Sequence, residues 1–193
     1  MGITGNLREK LLAAVDKSPY CEKTLVFGEG AEHPALMMIG EAPGGDEEKQ
    51  GRPFVGKAGK NLSAFLEVVG LKREEIYISN VVKLRPTKTS PKTGKAVNRP
   101  PSSAEIAFFL PFLREEIEII APRVIVTLGN VPLKAVTGDP AASIGAYHGK
   151  PMTLADGRVL FALYHPAAVI YNRALQAVYD EDLLALRGFL EGM

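Results

Sequence analysis

The sequence predicts an α/β fold, a three-layer α/β/α sandwich around a central, mostly parallel four-stranded sheet. Four short segments are apolar at nearly consecutive positions, as in parallel strands covered on both faces. These are residues 35–39, 76–79, 123–128 and 159–163, and residues 25–27 are expected to add a short edge piece. Strands that alternate with helical patterns favour βαβ units and helices on both faces of the sheet.

Four helices are predicted between and around these strands. Apolar residues recur at i, i+3, i+4 and i+7 over residues 62–69. A longer helix begins at the SSAE of residues 102–105, which is a capping-box pattern, and ends before Pro122. Leucine-rich patterns at residues 7–15 and 175–186 add one helix near each end of the chain.

The composition is typical of one folded domain over residues 1–193. Hydrophobic residues make up 46% and charged residues 23%, and the net charge is +1. No apolar run approaches the ~20 residues of a membrane span, and no signal-peptide pattern opens the chain. We therefore expect a cytoplasmic monomer that makes no membrane contact.

The charge is unevenly distributed. Between Glu75 and Glu105 there is no Asp or Glu, and this stretch holds Lys83, Arg85, Lys88, Lys92, Lys95 and Arg99. Residues 85–101 also contain four prolines. Composition leaves two interpretations open, a solvated surface loop or a loop that binds the phosphates of nucleic acid.

Glycines and polar residues follow each predicted strand. The first is followed by GEAPGGDEE at residues 40–48, the second by Asn80, the third by residues 129–130 and the fourth by residues 164–166. Each signal alone fits a turn or a structural hydrogen bond. Ligands of open α/β sheets bind at the carboxyl ends of the strands, so together these segments predict a site there.

Several kinds of chemistry are excluded by the sequence. Cys21 is the sole cysteine, so an internal disulfide or a cluster held by several cysteines of this chain is impossible. The three histidines are scattered, and neither a Walker A loop nor GxGxxG is present. We therefore expect no metal site.

Three separated motifs carry a family resemblance. They are GEAPG with GRPFVGKAG at residues 40–44 and 51–59, YISNVVKLRP at 77–86, and HPAA at 165–168. In this order they resemble the motifs of the uracil-DNA glycosylase superfamily, in its family 4 form. The resemblance runs from about residue 25 to the C-terminal helix. It implies that superfamily's fold and hydrolysis of the N-glycosidic bond of a deoxyuridine flipped out of DNA.

The sequence departs from family 4 at the cysteines that hold a [4Fe–4S] cluster. Leu84 stands at the cysteine position of the middle motif and Phe109 at that of the following helix, while the N-terminal pair is reduced at most to Cys21. The resemblance therefore implies a relative without cluster or other cofactor, in which Leu84 and Phe109 fill the site by apolar packing.

By resemblance, three residues would recognise the base. Phe54 would stack on the flipped ring. The Asn80 amide would pair with N3–H and O4 of uracil, which cytosine presents with reversed polarity. Glu47 would lie near C5 and exclude the methyl group of thymine.

Three further residues would assist the chemistry. His165 would donate to uracil O2 while charge develops on the leaving base, with help from a backbone N–H at Ala42. Ala42 stands where the best-known uracil-DNA glycosylases carry a water-orienting Asp. Glu41, or backbone carbonyls near it, would hold the water instead; the alternative role of Glu41 is to anchor the loop.

Contacts with uracil-containing DNA, single- or double-stranded, are expected from residues around this pocket. They are Lys57, Lys60, Arg85, Lys88, Lys92, Lys95, Arg99, Tyr171 and Arg173. The first two flank the start of a helix, the next five form the basic loop, and the last two lie in a segment suited to the minor groove. Such a protein would be associated with the nucleoid.

Three alternatives stay open from the sequence. A glycosylase of the same fold could prefer hypoxanthine or xanthine. A non-catalytic protein could bind uracil or abasic-site DNA without turnover. A generic α/β enzyme could bind free nucleotides in its glycine-rich turns.

Overall fold

The centre of the protein is a six-stranded sheet with the strand order β1-β3-β2-β6-β8-β7. A computed structural model describes residues 4–193, apart from the side chains of Ala58, Ile170 and Tyr171. The sheet strands are β1 (Glu29–Gly30), β2 (Met37–Gly40), β3 (Tyr77–Asn80), β6 (Val124–Leu128), β7 (Pro151–Thr153) and β8 (Val159–Leu163). The remaining strands, β4 (Thr87–Thr89) and β5 (Ala96–Asn98), form a separate antiparallel hairpin.

The four inner strands are parallel, which confirms the predicted sheet. Their residues are buried almost throughout, because helices cover both faces. A short antiparallel strand extends each edge. The expected edge piece at residues 25–27 is wrong in place: the edge strand β1 begins at Glu29, four residues after Leu25, and Leu25 forms only an isolated bridge with Leu84.

Eight α-helices lie in the described chain. They are α1 (Gly5–Asp16), α2 (Gly45–Gln50), α3 (Gly56–Val69), α4 (Ser103–Ile120), α5 (Asn130–Thr137), α6 (Ile144–Tyr147), α7 (Pro166–Tyr171) and α8 (Gln176–Glu191). The four predicted helices are confirmed as α1, α3, α4 and α8. The capping box of α4 forms as predicted, since Ser102 Oγ accepts from the Glu105 amide and the Glu105 carboxylate accepts from the Ser102 amide.

Two hydrophobic clusters cover the two faces of the sheet. Successive residues of β2 alternate between them: Met37 and Ile39 pack in one cluster, and Met38 packs in the other. The first cluster includes residues of α1, α4 and α5, and the second includes residues of α3 and α8. This arrangement gives the predicted three layers. None of the helices in the described chain has the length and apolar character needed to cross a bilayer.

The basic stretch predicted as a loop is in fact built around the β4–β5 hairpin. The chain reverses at residues 90–95, where Gly94 has a φ of 66°. Arg99 closes the base of the hairpin, because its guanidinium makes a bidentate pair with Glu105 and also donates to the Thr87 carbonyl. That pair lowers the pKa of Glu105 to about 2.

A buried polar network joins β3 to α4. Lys83, only 3% exposed, donates from Nζ to the Glu116 carboxylate (2.6 Å), the Ser79 hydroxyl and the Asn80 carbonyl (2.8 Å). Glu116 also accepts from Ser79 Oγ and from the Tyr77 hydroxyl. Lys83 therefore belongs to the interior, although its sequence neighbours are basic surface residues.

Removal of one partner from this network should strongly destabilise the protein. Glu116→Ala leaves the Lys83 ammonium buried without its counter-charge, and we expect the free energy of unfolding to fall by about 3–5 kcal/mol. The measurement is urea unfolding at pH 7. Glu115→Ala is the matched control, because Glu115 pairs with Lys10 at the surface and should contribute at most about 1 kcal/mol. Equal losses in the two variants would contradict this account.

Candidate active site

A cavity of about 370 Å³ opens at the carboxyl ends of the parallel strands. Its lining consists of Ala42, Gly44, Gly45, Asp46, Glu47, Phe54, Lys57, Asn61, Asn80, Asn98, His165 and Ala167. The volume lies within the range of small-molecule sites. The cavity therefore brings together Ala42, Glu47, Phe54, Asn80 and His165, the five residues that the sequence predicts around the base.

The strand order explains why the cavity lies here. The chain passes from β2 to β3 on one side, and the next parallel strand, β6, pairs with the opposite side of β2. Loops at such a switch point diverge and leave a crevice above the strand ends. The segments that follow β2, β3 and β8 meet in this crevice.

The absence of a side chain at Gly40 lets the pocket form. Gly40 ends β2 and is paired with Asn80 of β3. A Cβ at Gly40 would lie 2.4 Å from Asn80 Oδ1 and 2.8 Å from the Phe54 ring, so any other residue would displace one of them. The Asn80 amide and the Phe54 ring thus approach each other next to the Gly40 backbone, where no side chain separates them.

Phe54 has an unusual backbone conformation. Its φ is 51°, in the left-handed region that favours glycine, and such a conformation costs an L-residue about 1–2 kcal/mol. The ring is 6% exposed and packs in the second hydrophobic cluster while it lines the cavity. Strain of this kind persists only where the surrounding structure enforces it.

The Glu47 carboxylate is fixed by backbone donors. It accepts from the Gly44 amide at 3.1 Å and from the Val55 amide at 3.0 Å, and the residue is buried. It thereby connects the start of α2 to the segment before α3. A carboxylate held at both oxygens presents a rigid wall to the cavity.

His165 is held in one tautomer by its contact at the start of α7. Its Nδ1 accepts a hydrogen bond from the Ala167 amide at 3.1 Å, so the proton of the neutral ring is on Nε2. Burial lowers the pKa of His165 below its ordinary value of 6.5, which favours this neutral form at pH 7. His165 therefore offers one N–H donor to the cavity.

Glu41 is half-buried and is not among the described residues that line the cavity. Its carbonyl accepts from the Val82 amide, which ties the loop after β2 to the segment after β3. Burial raises the pKa of its carboxyl group. Any residue at this position could accept that backbone hydrogen bond, so the loop-anchor role and the water-holding role of the Glu41 side chain both stay predictions.

The predicted DNA-contacting residues have three different settings. Exposed side chains belong to Lys57, Lys60, Lys88, Lys92, Lys95 and Arg173. Arg85 and Arg99 are instead engaged in internal ion pairs, Arg85 with Glu48 and Arg99 with Glu105. The Tyr171 side chain lies outside the described part of the chain.

Asn98 lines the pocket although the sequence did not predict it there. It ends β5, and its Oδ1 accepts from Arg85 Nε at 2.7 Å while Arg85 also pairs with Glu48 of α2. The hairpin therefore contributes an amide to the cavity wall. Nothing in a Pro- and Thr-rich stretch signals such a contact, because it depends on how the hairpin folds back.

The residues at the expected cluster site do not fit an iron–sulfur cluster. Leu84 and Phe109 are at most 1% exposed, and the Tyr20 ring packs against Phe109 and Phe108 at centroid distances of 5.9 and 5.1 Å. Cys21 is exposed. Within residues 4–193, the structure contains no group of three or more His, Cys, Asp or Glu side chains placed to hold a metal ion.

Comparison of the sequence with models of protein families identifies the class of protein to which this fold, cavity and set of motifs belong. The model of the "Uracil DNA glycosylase superfamily" matches residues 27–186, and the chain belongs to this superfamily. The match covers the sheet and most of the helices that surround it.

Two relatives and one solved structure show where in the superfamily the similarity lies. The chain is 40% identical to a type-4 uracil-DNA glycosylase of Sulfurisphaera tokodaii over 84% of its own length and 73% of that protein's. It is 37% identical to a type-4 uracil-DNA glycosylase of Pyrobaculum aerophilum over 93% and 91%. The crystal structure of SMUG2 from Pedobacter heparinus matches with a TM-score of 0.55 and 16% identity over 83% of this chain and 77% of that one, which shows the shared fold.

Proposed function

We propose that this protein is a DNA glycosylase that hydrolyses the N-glycosidic bond of uracil in DNA. The observation that carries the proposal is the meeting of Phe54, Asn80 and His165 in one cavity at the carboxyl ends of the sheet. An aromatic face, an amide and a neutral imidazole donor are the groups that recognition and expulsion of uracil require. The names of the type-4 relatives support the same activity.

Recognition of the base follows from the pocket's polarity. The Asn80 carbonyl oxygen accepts from uracil N3–H and its NH2 group donates to O4, whereas cytosine would present a donor to the donor and an acceptor to the acceptor. Phe54 stacks on the ring. The fixed Glu47 carboxylate stands against C5, where a thymine methyl group would collide with it.

Bond cleavage places charge where His165 can stabilise it. As the bond between C1′ and uracil N1 breaks, its electron pair leaves with the base and C1′ takes on oxocarbenium character. His165 Nε2–H donates to O2 of the departing uracil anion, assisted by the Ala42 amide. A neutral donor is suited to this role because it binds the anion without the cost of a buried cation.

Water then adds to C1′ and loses a proton. We assign the Glu41 carboxylate to orient this water and accept that proton. Burial disfavours ionisation of Glu41, so its pKa lies above the ordinary 4.5 and the carboxylate is a stronger base than an exposed one. The base form predominates above that raised pKa and declines as the pH falls below it.

The substrate is held chiefly through its phosphates. Lys57 and Lys60 lie on the first turns of α3 beside the cavity, and Lys88, Lys92 and Lys95 are exposed on and around the hairpin. We assign these lysines, with Arg173 and Tyr171, to the DNA backbone and groove, and we expect a cytoplasmic, nucleoid-associated monomer that acts on single- or double-stranded DNA. Arg85 and Arg99 orient the hairpin through their ion pairs.

The proposed activity is tested by base release from oligonucleotides that carry uracil, thymine, hypoxanthine or xanthine, single-stranded and opposite each base. We expect release of uracil and retention of thymine. Faster release of hypoxanthine or xanthine would favour the same-fold alternative. Tight binding of uracil DNA without any product, or binding of free nucleotides alone, would refute the glycosylase proposal.

His165→Ala should reduce turnover with little loss of DNA affinity. Uracil is neutral when bound and becomes anionic as the bond breaks, so a donor to O2 contributes mainly in the transition state. Loss of one such donor typically lowers the rate ~10²–10³-fold. Single-turnover excision and equilibrium binding to uracil DNA measure the two effects separately.

The control for this variant is His33→Ala, which removes an exposed histidine outside the cavity lining. It should leave excision and binding unchanged. A fall in activity of His165→Ala that merely follows weaker DNA binding or unfolding would mean that His165 shapes the loop before Pro166 and takes no part in the chemistry.

Replacement of Lys88, Lys92 and Lys95 by Ala should weaken DNA binding more than excision at saturation. The slope of log K against log salt is negative, and each lysine that no longer neutralises a phosphate should reduce its magnitude by about 0.9 for duplex DNA. Binding titrations at several salt concentrations measure this slope. The matched control replaces Lys17, Lys23 and Lys72, which are exposed elsewhere, and should preserve the slope. An unchanged slope in the hairpin variant would leave the hairpin as a solvated surface element.

A further inference from the structure

The loop that carries Phe54 is gripped by one guanidinium group. Arg73 lies in the 3₁₀ turn before β3 and donates from Nη1 to the Phe54 carbonyl at 3.0 Å and from Nη2 to the Pro53 carbonyl at 2.7 Å. The carbonyl oxygens of two successive residues, Pro53 and Phe54, thus accept hydrogen bonds from one planar guanidinium group. This contact links the loop to a segment at the opposite end of β3 from the cavity.

Arg73 is itself fixed by Glu29 of the edge strand β1. Its Nη2 also donates to Glu29 Oε1 at 2.9 Å, and Arg52 makes a bidentate pair with the same carboxylate. Burial opposes ionisation of Glu29, but the hydrogen bonds from the two arginines outweigh it and lower its pKa. The carboxylate is therefore charged at neutral pH and holds Arg73 in place.

We propose that Arg73 is a positioning residue for base recognition, which holds the backbone of Phe54 in its left-handed conformation and thereby sets the ring against the extruded base. This inference rests on the proposed function for its catalytic consequence. Arg73 is not among the described residues that line the cavity, and it acts on the base through Phe54.

The geometry favours arginine specifically for this task. A guanidinium presents several donors in one rigid plane and can bind both carbonyls and Glu29 together, whereas an ammonium is a point donor without that fork. The conformation needs such enforcement, because φ is 51° at a phenylalanine. Gly59 allows the same carbonyl to approach α3, since a Cβ there would lie 2.6 Å from Phe54 O.

Arg73→Met keeps an unbranched apolar stem and removes the fork. We expect single-turnover excision of uracil to slow about 10- to 100-fold, because a small misplacement of the platform misaligns the reacting bond. The dissociation constant for DNA should change less than about threefold, since phosphate contacts dominate affinity. Arg73→Lys preserves the charge and most of the packing, so it serves as the test variant if Arg73→Met folds poorly. Its excision rate should lie between those of the wild type and Arg73→Met.

Arg52→Met is the matched control. Arg52 pairs with the same Glu29 carboxylate, but its hydrogen bonds go to Glu29 and leave the carbonyls of Pro53 and Phe54 to Arg73. Excision by this variant should therefore remain close to the wild-type rate. A similar loss in both variants would show that the charge on this surface matters and that the clamp, the pair of hydrogen bonds from Arg73 to the Pro53 and Phe54 carbonyls, does not.

A double-mutant cycle tests whether Arg73 acts through Phe54. In the Phe54→Ala background there is no ring to position, so Arg73→Met should lower excision by less than about twofold further. Multiplication of the two separate losses in the double variant would overturn the proposal. So would a wild-type rate in folded Arg73→Met.

A second measurement does not depend on activity. Glycine tolerates a positive φ, so Phe54→Gly should melt at a higher temperature than Phe54→Ala while Arg73 enforces that conformation. In the Arg73→Met background the loop can relax, so Phe54→Gly should no longer melt at a higher temperature than Phe54→Ala. An order that persists without Arg73 would refute the clamp. If wild-type protein releases no uracil, the proposed function fails, and this stability comparison still decides whether the clamp exists.

Discussion

The ammonium group of Lys83 lies in the protein interior, where Glu116, Ser79 and the Asn80 carbonyl surround it. Withdrawal of a charge from water costs several kcal/mol unless the interior supplies matched partners, so these groups must stay together. Glu116 belongs to α4 and the other two to β3, and their separation would leave an unpaired buried charge. The peptide at the end of β3, from which the Asn80 side chain extends, is fixed for this reason.

The cavity lies between two segments that are anchored independently. On one side Asn80 is held through its carbonyl by Lys83, and on the other Phe54 is held through its carbonyl by Arg73. Gly40 separates them and provides the space in which the amide and the ring approach. In both cases a cation outside the cavity binds the backbone, which leaves the side chain free to face a ligand.

Local patterns were sufficient to predict the inner sheet, the longer helices and the placement of the pocket residues. Buried parallel strands are continuous apolar runs, and the motifs after β2, β3 and β8 converge because those strands are parallel.

The structural roles of Arg73, Arg85 and Arg99 could not be predicted. Their partners depend on tertiary contacts: Arg85 pairs with Glu48, 37 residues away, and Arg73 binds Phe54 across 19 residues. The hairpin lacks the alternation that marks strands, and α2, α5, α6 and α7 are too short to show a helical period.

Apolar packing at the position expected for a cluster performs a task that metal ligation could also perform, which is to connect distant parts of the chain. The Tyr20 ring packs on α4 through Phe108 and Phe109, and Leu25 forms a bridge with Leu84, so the segment after α1 is tied to the chain between β3 and the hairpin. Contacts of this kind hold by exclusion of water and need no thiolate or redox state. Their strength therefore changes with packing volume, whereas a cluster would be lost in one step with its iron. Leu84 directly precedes Arg85, which donates to Asn98 at the cavity wall, so the apolar packing around Leu84 and the N-terminal half of α4 lies one residue from a side chain that contacts the wall of the site.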